Sequence, residues 1–258
     1  MVQFDLKTVV QQFDLSGDFI SAEPYGTGHI NDTYAVCLNE GERQVRFILQ
    51  RINENVFPNP PQVMENIVRV TSHVRSVLES EGVPDISRRT LTVVPTRDQQ
   101  GFWQDVGEDG GFWRCYIFIE NARSYDTLQD PRQAFEAARA FGGFQRALVD
   151  LPGEPLHETI PDFHNGPKRF RAFEEALRAD ACGRVATARD EIESMYRFGE
   201  IFEILPREVE LGRIPIRTTH NDTKINNVMI DDDTGEGICV IDLDTLMPGL
   251  APYDFGDM

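Results

Sequence analysis

The stretch Thr219-His-Asn-Asp-Thr-Lys-Ile-Asn-Asn227 is the densest run of chemically active side chains in the sequence. It leads directly into the apolar segment Val228-Met-Ile230, and a second acidic stretch, Ile241-Asp-Leu-Asp244, follows further along the chain. Two short β-like segments around the polar turn at residues 231–236 predict a hairpin. Such a hairpin would bring the two polar stretches side by side, so that their side chains share one site.

The residue types in these stretches suit phosphoryl transfer from a nucleotide. That reaction needs a carboxylate for the acceptor hydroxyl, oxygen ligands for Mg²⁺ and a cation near the transferred phosphate. Asp222 could be the carboxylate and Lys224 the cation. Asn227 and Asp242 could share the metal, because Mg²⁺ takes one or two protein oxygens alongside phosphate and water oxygens.

The first half of the chain has a β-rich pattern. Strands are expected over residues 19–24, 33–38, 44–52, 91–96 and 113–119. A helix is expected from Asn59-Pro60-Pro61, because proline is well tolerated in the first helical turn. Its apolar residues recur at three- and four-residue steps and so form one face: Val63, Ile67, Val70, Val74 and Val77.

The pattern becomes helical after residue 120. Helices are expected from Pro131, over 169–179 and over 188–205, with an irregular, proline-containing connection over 151–168. Short strands are expected over 214–218, 228–230 and 239–243. The sequence therefore predicts an α+β fold with a β-rich N-lobe over residues 1–120 and a helical C-lobe over residues 121–258.

Composition limits the possible partners and the cell compartment. The 258 residues carry 43 acidic and 25 basic side chains, a formal net charge of −18 that argues against nucleic acid or an anionic membrane as partner. No apolar run is long enough for a membrane span, and the N-terminus lacks signal-peptide features. The four cysteines are widely spaced and suit free thiols in a reducing compartment. A soluble, cytoplasmic protein is expected.

The catalytic stretch resembles a known superfamily. His220-x-Asp222-x-Lys224-x-x-Asn227 has the spacing of the protein-kinase catalytic loop and of the corresponding loop of aminoglycoside phosphotransferases and choline kinases. The fuller wording THNDTKINNVMI and VIDLDTLMPG, with FILQRIN and NPPQVMENI upstream, is similar to N-acetylhexosamine 1-kinases. The resemblance runs from about residue 19 to the end of the chain. It implies a two-lobed protein-kinase-like fold that uses ATP and Mg²⁺.

Site roles follow from the resemblance, residue by residue. Asp222 would be the catalytic base, Lys224 would contact the γ-phosphate, and His220 would hold the catalytic loop by hydrogen bonding. Asn227 and Asp242 would be the metal ligands, with Asp244 as a supporting partner. Gly26, Gly28 and Asn31 would belong to a flexible glycine loop over the nucleotide phosphates. Glu120 and Ala122 would belong to a hinge that receives adenine.

The sequence departs from the family pattern on the third strand. Kinases place a lysine or arginine there, paired with a glutamate of the following helix. A simple alignment puts Gln50 at that position and Arg51 one place later, and a one-residue step moves a side chain to the opposite face of a strand. We expect Arg51 to face the phosphates and to pair with Glu65.

Two features near the end of the chain bear on this resemblance: an alternative metal motif and the early end of the sequence, which is the second departure. Asp254-Phe-Gly256 spells the protein-kinase metal triplet, but Asp242 lies closer to the separation from Asp222 that a hairpin predicts. We therefore assign the metal to Asp242 and expect Asp254 to fix the catalytic loop. Related phosphotransferases continue into helices that complete the acceptor pocket, so this chain, which stops at Met258, is expected to be a fragment truncated at the C-terminus.

The acceptor is expected to be the anomeric hydroxyl of N-acetylglucosamine or N-acetylgalactosamine, which would place the enzyme in carbohydrate metabolism. Two alternatives stay open. One is a kinase for another hydroxyl compound, such as an aminoglycoside, homoserine or choline, since the acidic charge suits cationic acceptors. The other is a nucleotide-binding module without activity, suggested by Gln50 and by the early end of the chain.

Overall fold

A computed structural model describes residues 4–26, 28, 30–107 and 110–258. The first part of the chain forms α1 (Leu6–Val10), β1 (Asp18–Pro24), β2 (Asp32–Glu40), β3 (Arg43–Arg51), α2 (Pro60–Ser80), β4 (Val93–Val94), β5 (Trp103–Asp105) and β6 (Gly111–Ile117). The second part forms β7 (Ala122–Arg123), α3 (Pro131–Ala147), α4 (Gly166–Ala179), α5 (Arg189–Arg197), α6 (Ile201–Glu210), β8 (Arg217–Thr219), β9 (Val228–Asp231), β10 (Gly237–Val240), β11 (Met247–Gly249) and α7 (Ala251–Asp257).

The first part is built around an antiparallel sheet. Its strands lie in the order β1-β2-β3-β6-β4, and β5 pairs with β6. Apolar side chains leave both faces of the sheet, since successive strand residues point in opposite directions. One face packs against α1 through Leu49, Trp113 and Cys115, and the other packs against α2 through Ile48 and Tyr116.

Helix α2 forms as the sequence predicts. Two prolines occupy its first turn, and the residues at three- and four-residue steps form one buried face. Val63, Ile67 and Val70 are each at most 1% exposed. Burial of each such side chain contributes roughly 1.5–3 kcal/mol, so packing rather than helix propensity holds α2 against the sheet.

The second part surrounds the hairpin of β9 and β10. Strand β7 extends the hairpin into a three-stranded sheet, and α3 packs on β10. A second, two-stranded sheet joins β8 to β11. The largest apolar cluster continues from α2 into α3 and the hairpin, so the two parts share a core. The division into lobes at residue 120 therefore stays a prediction.

Several elements differ from the sequence-based expectation. The helix expected over 188–205 is two helices, α5 and α6, interrupted at residues 198–200. Gly199 lies in this break, and a Cβ there would be 3.0 Å from the ring of Phe170, so the close packing against α4 leaves no room for a side chain. The strand expected over 91–96 contains only Val93–Val94, while α1 and β5 were not expected.

Two expectations from composition can be compared with the structure. Cys37, Cys115, Cys182 and Cys239 are all free, as the spacing predicts. Within the described ranges, every helix is too short or too polar to cross a lipid bilayer.

Candidate active site

The predicted catalytic loop, residues 220–227, follows β8 and is hydrogen-bonded to α7. The buried carboxylate of Asp254 accepts the backbone N–H of His220 at 3.1 Å and that of Asn221 at 2.8 Å. Asn221 has a positive φ of 66°, a conformation that few residues other than glycine, asparagine and aspartate adopt. The Asp254 carbonyl also accepts the Thr223 hydroxyl at 2.6 Å. Asp254 thus has the contacts expected of a residue that fixes this loop.

His220 joins the catalytic loop to the segment that carries Asp242. Its ring is fully buried beside Phe141 and Phe144, and its Nε2 is 2.9 Å from the Ile241 carbonyl. Burial lowers the pKa of His220, which favours the neutral ring. A neutral ring that donates from Nε2 leaves Nδ1 to accept the backbone N–H of Asp222, at 3.3 Å. His220 therefore supports the loop and does not reach solvent.

Asp222 lies at the mouth of the site between an amide and a cation. Its carboxylate accepts Nδ2 of Asn227 at 3.0 Å and Nζ of Lys224 at 2.9 Å. Burial of Lys224 is the largest single influence and would lower its pKa, but the hydrogen bond to Asp222 and the nearby negative charges together outweigh burial, and the pKa is raised. Lys224 therefore stays charged. The Asp222 side chain is 26% exposed, so an acceptor molecule can reach it.

Asp242 follows β10 and lies beside the catalytic loop. The N–H of its neighbour Ile241 donates to the Asn227 carbonyl at 2.9 Å, which fixes the two segments side by side. Burial, with a further contribution from Asp244, raises the pKa of Asp242 to about 6 although Arg114 and Lys224 act in the opposite direction. A buried carboxylate of this kind is held in its charged form by a bound cation.

The donor set fits a magnesium ion shared with a nucleotide. Across the part of the chain that the structure describes, no three His, Cys, Asp or Glu side chains are arranged as a metal site. The amide nitrogen of Asn227 donates to Asp222, so only the amide oxygen of Asn227 is a possible ligand. One amide oxygen and the Asp242 carboxylate would leave the remaining positions to phosphate and water, as Mg²⁺ prefers.

The sheet supplies its cation from an unexpected strand. Arg114 on β6 is 1% exposed and forms a two-pronged ion pair with Asp244, whose Oδ2 is 2.9 Å from Nη2. Gln50 lies directly opposite Arg114 on β3, and its Oε1 accepts Arg114 Nε at 3.0 Å. The sequence signal for Arg114 was a lone charge between Trp113 and Cys115 in a predicted strand, and our sequence interpretation missed it.

The predicted pair of Arg51 and Glu65 is wrong. Arg51 lies on the face of the sheet that packs against α1, with its guanidinium 5.1 Å from the Phe4 ring and 3.0 Å from the Gly110 carbonyl. Glu65 instead contacts Nε2 of His157 at 2.9 Å. The alternation of strand side chains explains the error, because one step from Gln50 moves the side chain to the far face.

The predicted glycine loop lies only partly within the described residues. Thr27 and His29 lie outside them; Gly26 has a positive φ of 82°, and a Cβ at Gly26 or Gly28 would meet no described atom within 4 Å. Asn31 ends the loop with two side-chain contacts. Its Oδ1 accepts the Asn53 N–H at 3.0 Å, and its Nδ2 donates to Asp244 Oδ2 at 2.7 Å.

The predicted adenine hinge has other hydrogen-bond partners in this structure. The Glu120 carbonyl accepts Nε and Nη2 of Arg88 at 3.1 and 2.9 Å, and its carboxylate pairs with Arg46. Ala122 pairs with Asp231 in the sheet of β7 and β9. A purine at this point would have to share the Glu120 carbonyl with Arg88, so the role of Glu120 and Ala122 remains a prediction.

An antiparallel sheet packed against a helical part, in which Asp222 and Asn227 lie beside the segment that carries Asp242, is the arrangement of a kinase-like fold. A family model described as the phosphotransferase enzyme family, APH, matches residues 21–258. The chain belongs to this phosphotransferase family, which confirms the predicted enzyme class and the aminoglycoside phosphotransferase-like resemblance.

Solved structures show the same fold at low sequence identity. A microcompartment-associated aminopropanol kinase is 19% identical with a TM-score of 0.58, and the match covers 98% of this chain and 72% of that one. An amicoumacin kinase in complex with AMP-PNP, Ca²⁺ and Ami is 14% identical with a TM-score of 0.58, covering 99% and 68%. A choline kinase from Cryptosporidium parvum Iowa II is 16% identical with a TM-score of 0.51, covering 96% and 66%.

These matches confirm the two-lobed kinase-like fold. The chain spans between 66% and 72% of the lengths of those three proteins. None of the matches identifies the acceptor of this chain.

Proposed function

We propose that this protein transfers the γ-phosphoryl group of ATP to a hydroxyl group of a small molecule, with Mg²⁺ as cofactor. The proposal rests on the cluster of Asp222, Lys224 and Asn227 beside the buried carboxylate of Asp242. Family membership supports the reaction class, and the AMP-PNP bound in the amicoumacin kinase structure supports ATP as the donor.

Each side chain then has a defined task. Asp222 would orient the acceptor hydroxyl and take its proton, since its carboxylate is partly exposed while Asn227 and Lys224 hold its position. Lys224 would place a positive charge beside the transferred group. Asn227 and Asp242 would hold Mg²⁺, which supplies charge neutralisation on the phosphate oxygens. Positioning and electrostatics would account for most of the rate increase.

The acceptor we propose is an N-acetylhexosamine, phosphorylated at its anomeric hydroxyl. The support is the wording around the site, THNDTKINNVMI and VIDLDTLMPG, which is similar to N-acetylhexosamine 1-kinases. The product would be the sugar 1-phosphate, and the enzyme would belong to carbohydrate metabolism. The free cysteines are consistent with a reducing compartment, so we propose that the enzyme acts in the cytoplasm.

A cationic acceptor is the second candidate, and one observation favours it. A cavity of about 490 Å³ lies behind the catalytic loop, where Asn221 lines it together with the acidic residues Glu158 and Asp162. Asp162 is paired with Lys168, so the Glu158 carboxylate is the group that would attract a cationic acceptor, such as an aminoglycoside, choline or an amino alcohol.

The test is ADP release by this chain with Mg-ATP and a panel of acceptors. The panel contains N-acetylglucosamine, N-acetylgalactosamine, glucose, choline, homoserine and kanamycin. Asp222→Asn is the inactive variant, and Asp233→Asn, at the exposed tip of the β9–β10 hairpin, is the matched control. Turnover on the two acetylated sugars alone, lost in Asp222→Asn and kept in the control, would support the proposal.

Other outcomes separate the alternatives. Turnover on a cationic acceptor would overturn the sugar assignment and leave the reaction class intact. Nucleotide binding without ADP release on any acceptor would favour the non-catalytic module.

A further inference from the structure

The ion pair of Arg114 and Asp244 is the most deeply buried charged pair among the described residues. Both side chains are 2% exposed, and each oxygen of Asp244 contacts one terminal nitrogen of Arg114. The remaining Nε of Arg114 donates to Gln50. Every nitrogen of the guanidinium therefore has a partner, which fixes its plane.

This pair joins three parts of the candidate site. Arg114 belongs to the sheet, whereas Asp244 lies two residues after Asp242 in the short 3₁₀ turn Leu243–Thr245. The same Asp244 carboxylate accepts Nδ2 of Asn31, which ends the glycine loop. The Asp244 carbonyl accepts the Thr159 hydroxyl at 3.0 Å, so the turn is also held from the helical part.

Stability alone does not account for such a pair. Taking two charges out of water costs several kcal/mol per ion, and apolar residues of similar volume are often as stabilising as a buried ion pair. The occupied oxygens also argue against Asp244 as a direct metal ligand. Arg114 lies directly opposite Gln50 on β3, on the face of the sheet that packs against α2. Its geometry points to a role in placing neighbouring groups.

We propose that Arg114 is a positioning residue that acts through Asp244. It holds the turn that carries Asp242 and the end of the glycine loop at Asn31 in fixed register with the sheet, so that metal and nucleotide phosphates meet preplaced groups. The inference rests on the proposed use of Mg-ATP, but it concerns nucleotide and metal binding and is independent of the identity of the acceptor.

Arg114→Lys is the first variant to test. Lysine keeps the charge but, as a point charge on a flexible stem, cannot reproduce the planar contact in which three nitrogens of Arg114 meet Asp244 and Gln50 at once. We expect the Mg²⁺ concentration that gives half-maximal activity to rise on the order of 10–100-fold, as for other residues that orient a metal ligand, and the KM for ATP to rise similarly. The KM for the acceptor should be unchanged. The rise in melting temperature on adding Mg-AMP-PNP should shrink accordingly, which reports binding without turnover.

Arg146→Lys is the matched control. Arg146 also pairs with a carboxylate across the two parts of the chain, since its Nη2 is 2.9 and 3.1 Å from the two carboxylate oxygens of Glu81, but the Arg146 side chain is 69% exposed and lies on α3. This variant should bind Mg-AMP-PNP as the wild type does.

A double variant separates positioning from folding. Arg114→Met with Asp244→Leu replaces the pair by apolar side chains, so that no charge is buried without a partner; the variant should stay folded in the absence of ligand, which its melting temperature reports. If positioning is the role, the response to Mg-AMP-PNP stays weakened in this double variant despite the intact fold.

Three results would overturn the proposal. A normal Mg-AMP-PNP response in Arg114→Lys would do so, and so would a normal response in the double variant. A wild-type protein that shows no response to Mg-AMP-PNP would overturn this proposal and the proposed function together, whereas a response without turnover would reject the catalytic function alone.

Discussion

Asp254 and Asn221 are joined by a hydrogen bond of 2.8 Å, from the backbone N–H of Asn221 to Oδ1 of Asp254. The other carboxylate oxygen, Oδ2, accepts the backbone N–H of His220 and the side-chain Nε2–H of Gln145. One fully buried carboxylate thus holds two consecutive peptide groups in the turn that precedes Asp222. The geometry of the catalytic loop therefore depends on a residue of α7.

Replacing Asp254 should destabilise the protein and disorder the catalytic loop. Hydrogen bonds to a charged acceptor contribute roughly 1.5–3 kcal/mol each, and Asp254→Ala leaves several buried donors without a partner, so a loss of about 3 kcal/mol or more is expected. The measurement is urea denaturation followed by circular dichroism. Asp233→Ala at the exposed hairpin tip is the control, and an Asp254→Ala midpoint equal to that of the control would contradict the assigned role.

Replacing Asp242 should have opposite effects on stability and on function. Because the folded-state pKa is raised from 3.8 to about 6, the ionised side chain destabilises the metal-free fold above that pH. Asp242→Asn removes the charge and keeps the shape, so the metal-free protein at pH 7.5 should gain on the order of 2 kcal/mol. Urea denaturation in EDTA measures the gain.

The same variant should lose its response to ligand. Mg-AMP-PNP should stabilise the wild type and leave Asp242→Asn nearly unchanged, because a neutral amide is a weaker magnesium ligand than a carboxylate. A metal-free Asp242→Asn protein less stable than the wild type would show that burial does not disfavour the charge at this position.

The sequence predicted the parts of the fold that local pattern determines. Helix α2 was expected because prolines mark its start and its apolar residues repeat at helical spacing, and β1, β2 and β3 follow from β-branched and aromatic runs between turns. The contacts around Asp222 follow from short spacing as well, since Lys224 and Asn227 are two and five residues away.

The parts that were missed depend on contacts between distant segments. Arg114 and Asp244 are 130 positions apart, and their pairing requires β6 to lie beside the turn after β10. Nothing local in either segment specifies that contact. The same holds for the break between α5 and α6, where Gly199 packs against Phe170 of α4. Five-residue α1 was missed because so short a helix has too few turns to show a period.

The acid stability of the protein should depend on Asp231. Its carboxylate accepts the Thr234 backbone N–H at 2.8 Å and Nη2 of Arg88 at 2.7 Å, and these hydrogen bonds lower the pKa of Asp231 to about 2. A lowered folded-state pKa adds stability that is present above about pH 4 and is lost as the pH falls from about 4 to 2. Asp231→Asn should therefore flatten this part of the pH–stability curve.

The size of that effect can be measured by urea denaturation between pH 2 and pH 7. At pH 7, Asp231→Asn should be less stable than the wild type by about 1–2 kcal/mol, and the difference should shrink toward pH 2. Asp233→Asn, two residues along the same turn, should track the wild type. A constant difference between Asp231→Asn and the wild type at all pH values would contradict the assignment of the carboxylate charge as the cause.

Replacing Gln50 with lysine, the residue type that the kinase pattern predicts there, should destabilise this protein. Gln50 Oε1 accepts Arg114 Nε, and Gln50 Nε2 donates to the Thr33 hydroxyl at 2.9 Å. Gln50→Lys removes the acceptor and brings a second cation against Arg114, so a loss of about 1–3 kcal/mol is expected, with no gain in affinity for Mg-AMP-PNP. Gln50→Glu is the matched variant, because a carboxylate still accepts from Arg114 and opposes its charge.

Calorimetric titration with Mg-AMP-PNP and urea denaturation of both variants provide the measurement. Tighter nucleotide binding in Gln50→Lys, with stability unchanged, would mean that the cleft tolerates a cation on β3 and that Arg114 does not determine the charge at this place.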